Sequence, residues 1–278
     1  MKTLYDQVDQ LFQFSENPVK RVGTGFKAID DLIRGPAPGE VCMILGRSFS
    51  GKSILAQNII NHNKDLPSIF FSLEMPYMQA IVRMYSMWSE TPSSDNQTSL
   101  EQGKVNSKVW DMVLAFPLHV IDDKGGQTLE DMSRKLMEFD IYYKTRPAFV
   151  VIDYLELVAG AKASGEGFAA VEAVSTSLKD WAKEEEMRVF LLHQTNRQEK
   201  RWQPPNEDSA RFGGYTEADF VIGMWRPHTD PDIDYWDAMS IKHHLNLNLI
   251  KDRVFFNERD KIEMMITPTL RILDGTSK

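Results

Sequence analysis

Gly46-Arg47-Ser48-Phe49-Ser50-Gly51-Lys52-Ser53 decides how the rest of the chain is read. The octet fits G-x-x-x-x-G-K-[ST] and has the neighbours that this pattern needs. An apolar strand candidate, Val41 to Leu45, runs into it, and Ile54, Leu55, Ile59 and Ile60 recur behind it at helical spacing. Two glycines let the backbone turn tightly, so that successive amide N–H groups and the helix N-terminus converge on phosphate oxygens. The nucleotide-binding segment is therefore read as Gly46, Arg47, Ser48, Phe49, Ser50, Gly51, Lys52, Ser53 and Ile54. In such a loop the lysine, here Lys52, reaches the β and γ phosphates, and the hydroxyl, here Ser53, ligates Mg²⁺.

Composition narrows the class. The 278 residues are 42% hydrophobic and 26% charged, ordinary for a globular protein, and the length allows one large α/β domain or two smaller ones. No stretch approaches the ~18 uncharged apolar residues of a membrane span, and the first residues lack the apolar run of a signal peptide. The expectation is a cytoplasmic protein with no membrane partner. A single cysteine, Cys42, in the strand before the phosphate loop, leaves no second thiol for a disulfide or a thiolate metal cluster. A net charge of −8 argues against a surface that coats nucleic acid, so any such contact is local.

Along the chain, residues 1–20 read as an N-terminal linker helix or arm carrying Leu4, Val8, Leu11 and Phe12, and residues 21–278 as one nucleotide-binding domain. Val22 to Gly35 reads as a helix with a glycine stop, followed by Pro38-Gly39-Glu40 as a turn. Ser68 to Leu73 is a second buried strand, and the interval from Ser53 predicts a βαβ unit with parallel strands. Leu118 to Ile121, Phe149 to Ile152, Val189 to Leu192 and Phe220 to Trp225 are further strands. Met75 to Trp88, Leu129 to Tyr143 and Val171 to Glu186 are helices. Residues 160–167 and 196–215 are long loops, which inside a compact domain usually serve function. Leu245 to Leu249 alternates strictly, and Lys261 to Ile266 with Leu270 to Leu273 form a closing hairpin. The fold class is α/β: a mainly parallel twisted sheet flanked by helices, with a C-terminal β-hairpin.

In a parallel sheet the polar ends of the strands share one edge, where ligands bind. Asp153 is placed like an acid that holds Mg²⁺, Glu74 like a carboxylate that deprotonates the water attacking the γ phosphate, and Gln194 like an amide that senses that phosphate. Lys251 and Arg253 sit on a late strand, and an arginine of this kind can be supplied by a neighbouring subunit. Asn196 to Trp202 is the best local candidate for nucleic acid, since Arg197, Lys200 and Arg201 combine cations with the stacking surface of Trp202. His243 and His244 face opposite ways on a strand, which makes a poor metal clamp.

Together these residues resemble the ATPase domain of the DnaB-type replicative helicases, within the RecA-like superfamily, over about residues 20 to 275. The resemblance rests on Thr24-Gly25-Phe26 with Ile29, Asp30 and Leu32; Pro38-Gly39-Glu40; the phosphate loop; Phe70-Phe71-Ser72-Leu73-Glu74-Met75; Val151-Ile152-Asp153-Tyr154-Leu155; and Gln194-Thr195-Asn196-Arg197. It implies that Glu74 is the catalytic base, Asp153 the Mg²⁺ acid and Gln194 the γ-phosphate sensor. Lys251 and Arg253 match the family's K-x-R pattern and become a pair offered to the neighbour's ATP. The loops after Asp153 and Gln194, with Lys162, Arg197, Lys200, Arg201 and Trp202, become single-stranded DNA contacts in a ring, a hexamer, with ATP and Mg²⁺ as cofactors.

There are departures. Only about 20 residues precede the domain, where the family usually carries a helical domain that engages primase. These residues are expected to dock on the next subunit, and any primase or loader partner stays open. Arg211 to Asp219 resembles a shortened fourth motif, and Asp252 stands between the two cations. The whole resembles a stripped-down relative of phage or mobile-element type. The expected function is an ATP-dependent helicase or translocase on single-stranded DNA in replication. A recombination ATPase without unwinding and an ATP-switched regulatory protein with no DNA partner remain as alternatives.

Overall fold

Five of the chain's apolar runs are buried at nearly every position rather than at alternate ones, the pattern of strands covered on both faces. They are β1 (Val41–Gly46), β2 (Ser68–Ser72), β4 (Phe149–Asp153), β5 (Val189–Gln194) and β6 (Phe220–Trp225). With β3 (Leu118–Ile121), β7 (His244–Asp252), β8 (Arg259–Ile266) and β9 (Ile272–Asp274) they make a nine-stranded sheet ordered β3-β2-β4-β5-β1-β6-β7-β8-β9. The pairs from β3 to β6 are parallel, and those from β6 to β9 are antiparallel, so the predicted closing hairpin is present as β8 and β9. The computed structural model describes residues 20–122, 127–153, 155, 158, 168–196, 199–210, 214–257 and 259–274. Most of the N-terminal arm, residues 1–19, lies outside them, as do Lys162 and Arg197.

Successive residues of each strand feed two cores. Cys42, Ile44, Phe70, Phe149, Phe190 and Phe220 pack on one face, and Val41, Met43, Leu45, Phe71, Val150 and Leu191 on the other. The helices covering them are α1 (Lys27–Ile33), α2 (Lys52–His62), α3 (Tyr77–Ser89), α4 (Ser93–Glu101), α5 (Ser107–Ala115), α6 (Leu129–Tyr143), α7 (Phe168–Glu184) and the short α8 (Tyr235–Ser240).

One local expectation holds, with a detail added, and one is corrected. The strands flanking α2 are parallel, but β4 and β5 lie between β1 and β2, so the crossover does not join adjacent strands. Interval length predicts direction but carries no information about which long-range partner a strand takes. The first helix starts at Lys27 and not at Val22, because the Asp30 carboxylate claims the preceding backbone. Its Oδ1 accepts from Thr24 N (2.7 Å) and Thr24 Oγ1 (2.8 Å), and its Oδ2 from Gly25 N (2.9 Å). Gly25 turns there at φ +82°, with His62 so close that a Cβ would sit 2.3 Å from it. The Thr24-Gly25-Phe26 and Asp30 signature is therefore a structural clasp.

A second clasp sets the start of β1. Val41 N donates to Asp219 Oδ2 (2.8 Å), and Lys179 Nζ, from α7, donates both to the same oxygen (2.6 Å) and to Gly39 O (2.6 Å). Both side chains of this ion pair are only 9% exposed. Removing one partner leaves a buried charge without its counter-charge, so Lys179→Met should cost about 3–5 kcal/mol in urea unfolding. Lys27→Ala, which breaks the exposed Lys27–Asp31 pair, should cost under about 1 kcal/mol. Equal effects of the two substitutions would show that the clasp carries no special weight.

Candidate active site

The phosphate loop joins the C-terminal end of β1 to α2, with Gly51 at φ +103° as the residue before the helix. Gly46 has no room for a side chain: a Cβ there would lie 2.7 Å from Ser50 Oγ and 2.9 Å from Met224 O. Lys52 folds back across its own loop, donating to Gly46 O (2.8 Å) and Arg47 O (3.0 Å). Ser53 Oγ donates to Asp153 Oδ2 at 2.6 Å.

Strand register brings the other candidates to this loop. Ser72 pairs with Asp153, and both Leu73 N and Glu74 N donate to Asp153 O, which seats Glu74 beside Asp153 at the cleft mouth. Gly46 pairs with Gln194, and Thr195 N donates to Gly46 O. Ser48, Lys52, Ser53, Glu74 and Gln194 thus line one cleft. Asp153 is 1% exposed, and its Oδ1 has no hydrogen-bond partner among the described residues. Burial pushes its carboxyl up to about 6; the Ser53 hydrogen bond opposes the shift and the Glu74 charge adds to it. A hydroxyl and a carboxylate oxygen are hard ligands that suit Mg²⁺, which takes its remaining ligands from water and phosphate. Among the described residues no group of three or more His, Cys, Asp and Glu could hold a metal by itself, His243 and His244 included.

Two charged cleft residues went unread in the sequence. Arg83, on α3, lines the cleft, and burial lowers its pKa while the charges of Asp153 and Glu74 hold it up. Its signal was the one charged residue in the mostly apolar run Met78 to Trp88. Arg226 follows the last residue of β6 and also lines the cleft, with its pKa lowered by burial. The rule of polar residues at strand ends, applied to β6, would have found it.

Lys251 and Arg253 are not in this cleft. Antiparallel pairing sets Lys251 against Val221 and Asp252 against Phe220, at the start of β6, while the phosphate loop adjoins Met224 near its end. At about 3.3 Å per residue the two ends are roughly 13 Å apart along the sheet. At their own edge, Lys251 Nζ and Arg253 Nη2 both donate to Thr216 O, each at 2.6 Å. Burial lowers the Lys251 pKa, as does Arg253 beside it.

Of the loop read for nucleic acid, Lys200 lies over the Trp202 ring (5.5 Å) and Arg201 over the Phe49 ring (5.4 Å). Arg201 O accepts from Arg226 N, and Asn196 O from Arg47 Nη1, both at 3.0 Å. This loop is therefore tied to the phosphate loop on two sides. No described helix is long and apolar enough to cross a membrane.

The family described as the DnaB-like helicase C terminal domain matches residues 21–256. The replicative DNA helicase DnaB of Leifsonia xyli subsp. xyli is 31% identical over 221 residues, 74% of this chain and 46% of that protein. That of Pasteurella multocida is 28% identical over 225 residues, 76% of this chain and 47% of that protein. The chain spans about half the length of the curated relatives it matches. Among solved structures, one described as an ATPase domain superposes with a TM-score of 0.83 at 18% identity, covering 99% of both chains. A DnaB-like replicative helicase, described with its interactions with primase, gives 0.79 at 19% identity over 98% of this chain and 67% of that one. A KaiC-like protein of Pyrococcus horikoshii gives 0.61 at 18% identity over 92% of this chain and 99% of that one. These structural likenesses show a RecA-like fold, and with the match across residues 21–256 the chain belongs to the DnaB-like helicase C-terminal-domain family.

Proposed function

We propose that this chain hydrolyses ATP with Mg²⁺ and works as a ring of identical subunits, a hexamer, that moves along single-stranded DNA and separates strands in replication. One observation carries the reading: the phosphate loop, Glu74, Asp153 and Gln194 converge at one edge of the sheet, while Lys251 and Arg253 stand at the other. A γ phosphate in the cleft is thus out of reach of its own chain's Lys251 and Arg253, which supports a second copy as the source of that pair. The names of the matched relatives, replicative helicases, agree with this reading.

Each step has a residue. Lys52 exchanges the two loop carbonyls it now bonds for phosphate oxygens. Ser53 Oγ and Asp153 Oδ1 would hold Mg²⁺, which supplies charge neutralisation at the phosphates. Glu74 accepts the proton of the attacking water, and Gln194 registers the γ phosphate. Arg253 and Lys251 of the next subunit meet the charge that develops there. Lys200, Arg201 and Trp202, with Arg197 and Lys162, bind single-stranded DNA through backbone charge and base stacking. Residues 21–278 form the ATPase unit, residues 1–20 the arm that docks on the neighbour, and the protein acts in the cytoplasm, with any primase contact made through partners yet to be identified.

The direct test is turnover with and without single-stranded DNA, alongside light scattering with nucleotide and strand separation on a forked duplex. Stimulation, assembly and unwinding are expected; a monomer without stimulation would sink the reading. Lys52→Ala should abolish nucleotide binding, whereas Glu74→Gln should keep it and lower hydrolysis about 10²-fold or more. Arg253→Ala should lose about 10³-fold in hydrolysis, and mixing it with Glu74→Ala should restore part of the activity, because some interfaces then carry both intact halves.

Asp153 adds a pH signature. Its folded-state value, about 6, stands above the ordinary 3.8, so the folded chain binds that proton more tightly than the unfolded one. Nucleotide-free protein should therefore lose stability as pH rises through the window from 3.8 to about 6. Asp153→Asn should stabilise it above that window by roughly 1–3 kcal/mol, while removing the Mg²⁺ dependence of nucleotide binding. Thermal unfolding of both proteins across pH, without nucleotide, checks the sign.

A further inference from the structure

Phe49 and Phe256 are 87% and 84% exposed, more than any other large apolar side chain among the described residues. Both also hold a left-handed backbone, φ +64° and +58°, which is costly for a bulky residue. Of the five other non-glycine residues with positive φ among the described residues, Arg34, Glu90 and Lys144 each close a helix, Glu186 follows α7, and Leu270 lies in the turn between β8 and β9. No helix end explains the two phenylalanines.

Their surroundings are built. Asp252 clamps the turn that carries Phe256, its Oδ1 accepting from Val254 N (2.9 Å) and Phe255 N (2.8 Å) and its Oδ2 from Asn257 N (3.0 Å). Asn257 Nδ2 ties the turn to Leu32 O at 2.7 Å. Phe255 goes inward, stacked on Phe220 and flanked by the Arg21 and Arg34 guanidinium groups. Phe256 is thus held outward by a fixed turn. Phe49 is held outward by the phosphate loop, with Arg201 on its ring.

Position says what covers them. Phe49 is in the middle of the loop that would receive the γ phosphate, and Phe256 comes three residues after the arginine proposed to reach that phosphate from another copy. The two rings are at opposite edges of the sheet in one chain. A head-to-tail contact, the kind that builds rings and filaments, brings such opposite patches together. We propose that Phe256 of each subunit packs on the phosphate loop at Phe49 of the partner subunit, as the apolar anchor that seats Arg253 in the shared site. This rests on the shared-site reading and adds to it the contact that aligns the two halves. Buried aromatic anchors of this kind commonly dominate the energy of an interface.

Glycine accepts φ +58° without strain, so Phe256→Gly should leave the thermal midpoint of the unassembled chain unchanged or raised, yet increase the concentration for half-maximal assembly with nucleotide at least ~10-fold. A Phe256 that served its own fold would lower the midpoint. Phe49→Cys and Phe256→Cys proteins, mixed with nucleotide under mild oxidation, should yield a disulfide-linked pair that neither gives alone; Cys42 is buried and stays silent. Normal assembly by Phe256→Gly together with no 49–256 cross-link would overturn the anchor. The shared site would still stand if Arg253→Ala and Glu74→Ala subunits restored each other. Loss of DNA binding with assembly intact would assign the rings to base stacking and also overturn it, and a chain that stays monomeric with nucleotide would overturn both readings.

Discussion

Everything in this fold hangs on the pairing of β1 with β5 on one side and β6 on the other. That arrangement aligns Gly46 with Gln194 and with Met224, so backbone pairing brings together the loop that would receive phosphates, the amide that would sense them and the arginine after β6. All six positions of β1 are buried, which means that a shift of register would turn each inward group onto the wrong core. The Asp219 and Lys179 clasp fixes where the strand begins, and the lack of room beside Gly46 fixes where it must end.

Part of the cleft is held by contacts of its own that a nucleotide would exchange, while Asp153 Oδ1 is left without a hydrogen-bond partner among the described residues. Lys52 bonds loop carbonyls, Ser53 bonds Asp153, and Asp153 sits desolvated beside a second carboxylate. None of these contacts has to be rebuilt from water when a charged ligand enters. The desolvation that destabilises the Asp153 carboxylate would also strengthen its attraction for a divalent cation. Stability and ligand affinity therefore pull in opposite directions at this residue.

How much of this could be read from residues alone differs by element. The buried strands were legible because the hydrophobic effect acts on every position of a two-faced strand, which leaves apolar runs in Phe149 to Ile152 and Val189 to Leu192. The phosphate loop was legible because glycine and lysine do specific work at fixed spacing. The place of β1 between β5 and β6 was not legible, because it arises from contacts more than a hundred residues apart. The start of the first helix was hidden too: a helix-compatible sequence was overruled by Asp30, whose two oxygens satisfy three donors ahead of it. Arg83 went unread because only the fold sets it near the charges of Asp153 and Glu74.

Asp219 has one more connection. Its side chain holds the first amide of the strand that leads to the phosphate loop, and its carbonyl accepts the Arg253 amide at 2.9 Å. The start of the strand that leads to the phosphate loop and the backbone of Arg253 are thus held by a single residue. A substitution at Asp219 would therefore disturb the start of β1 and the backbone at Arg253 together.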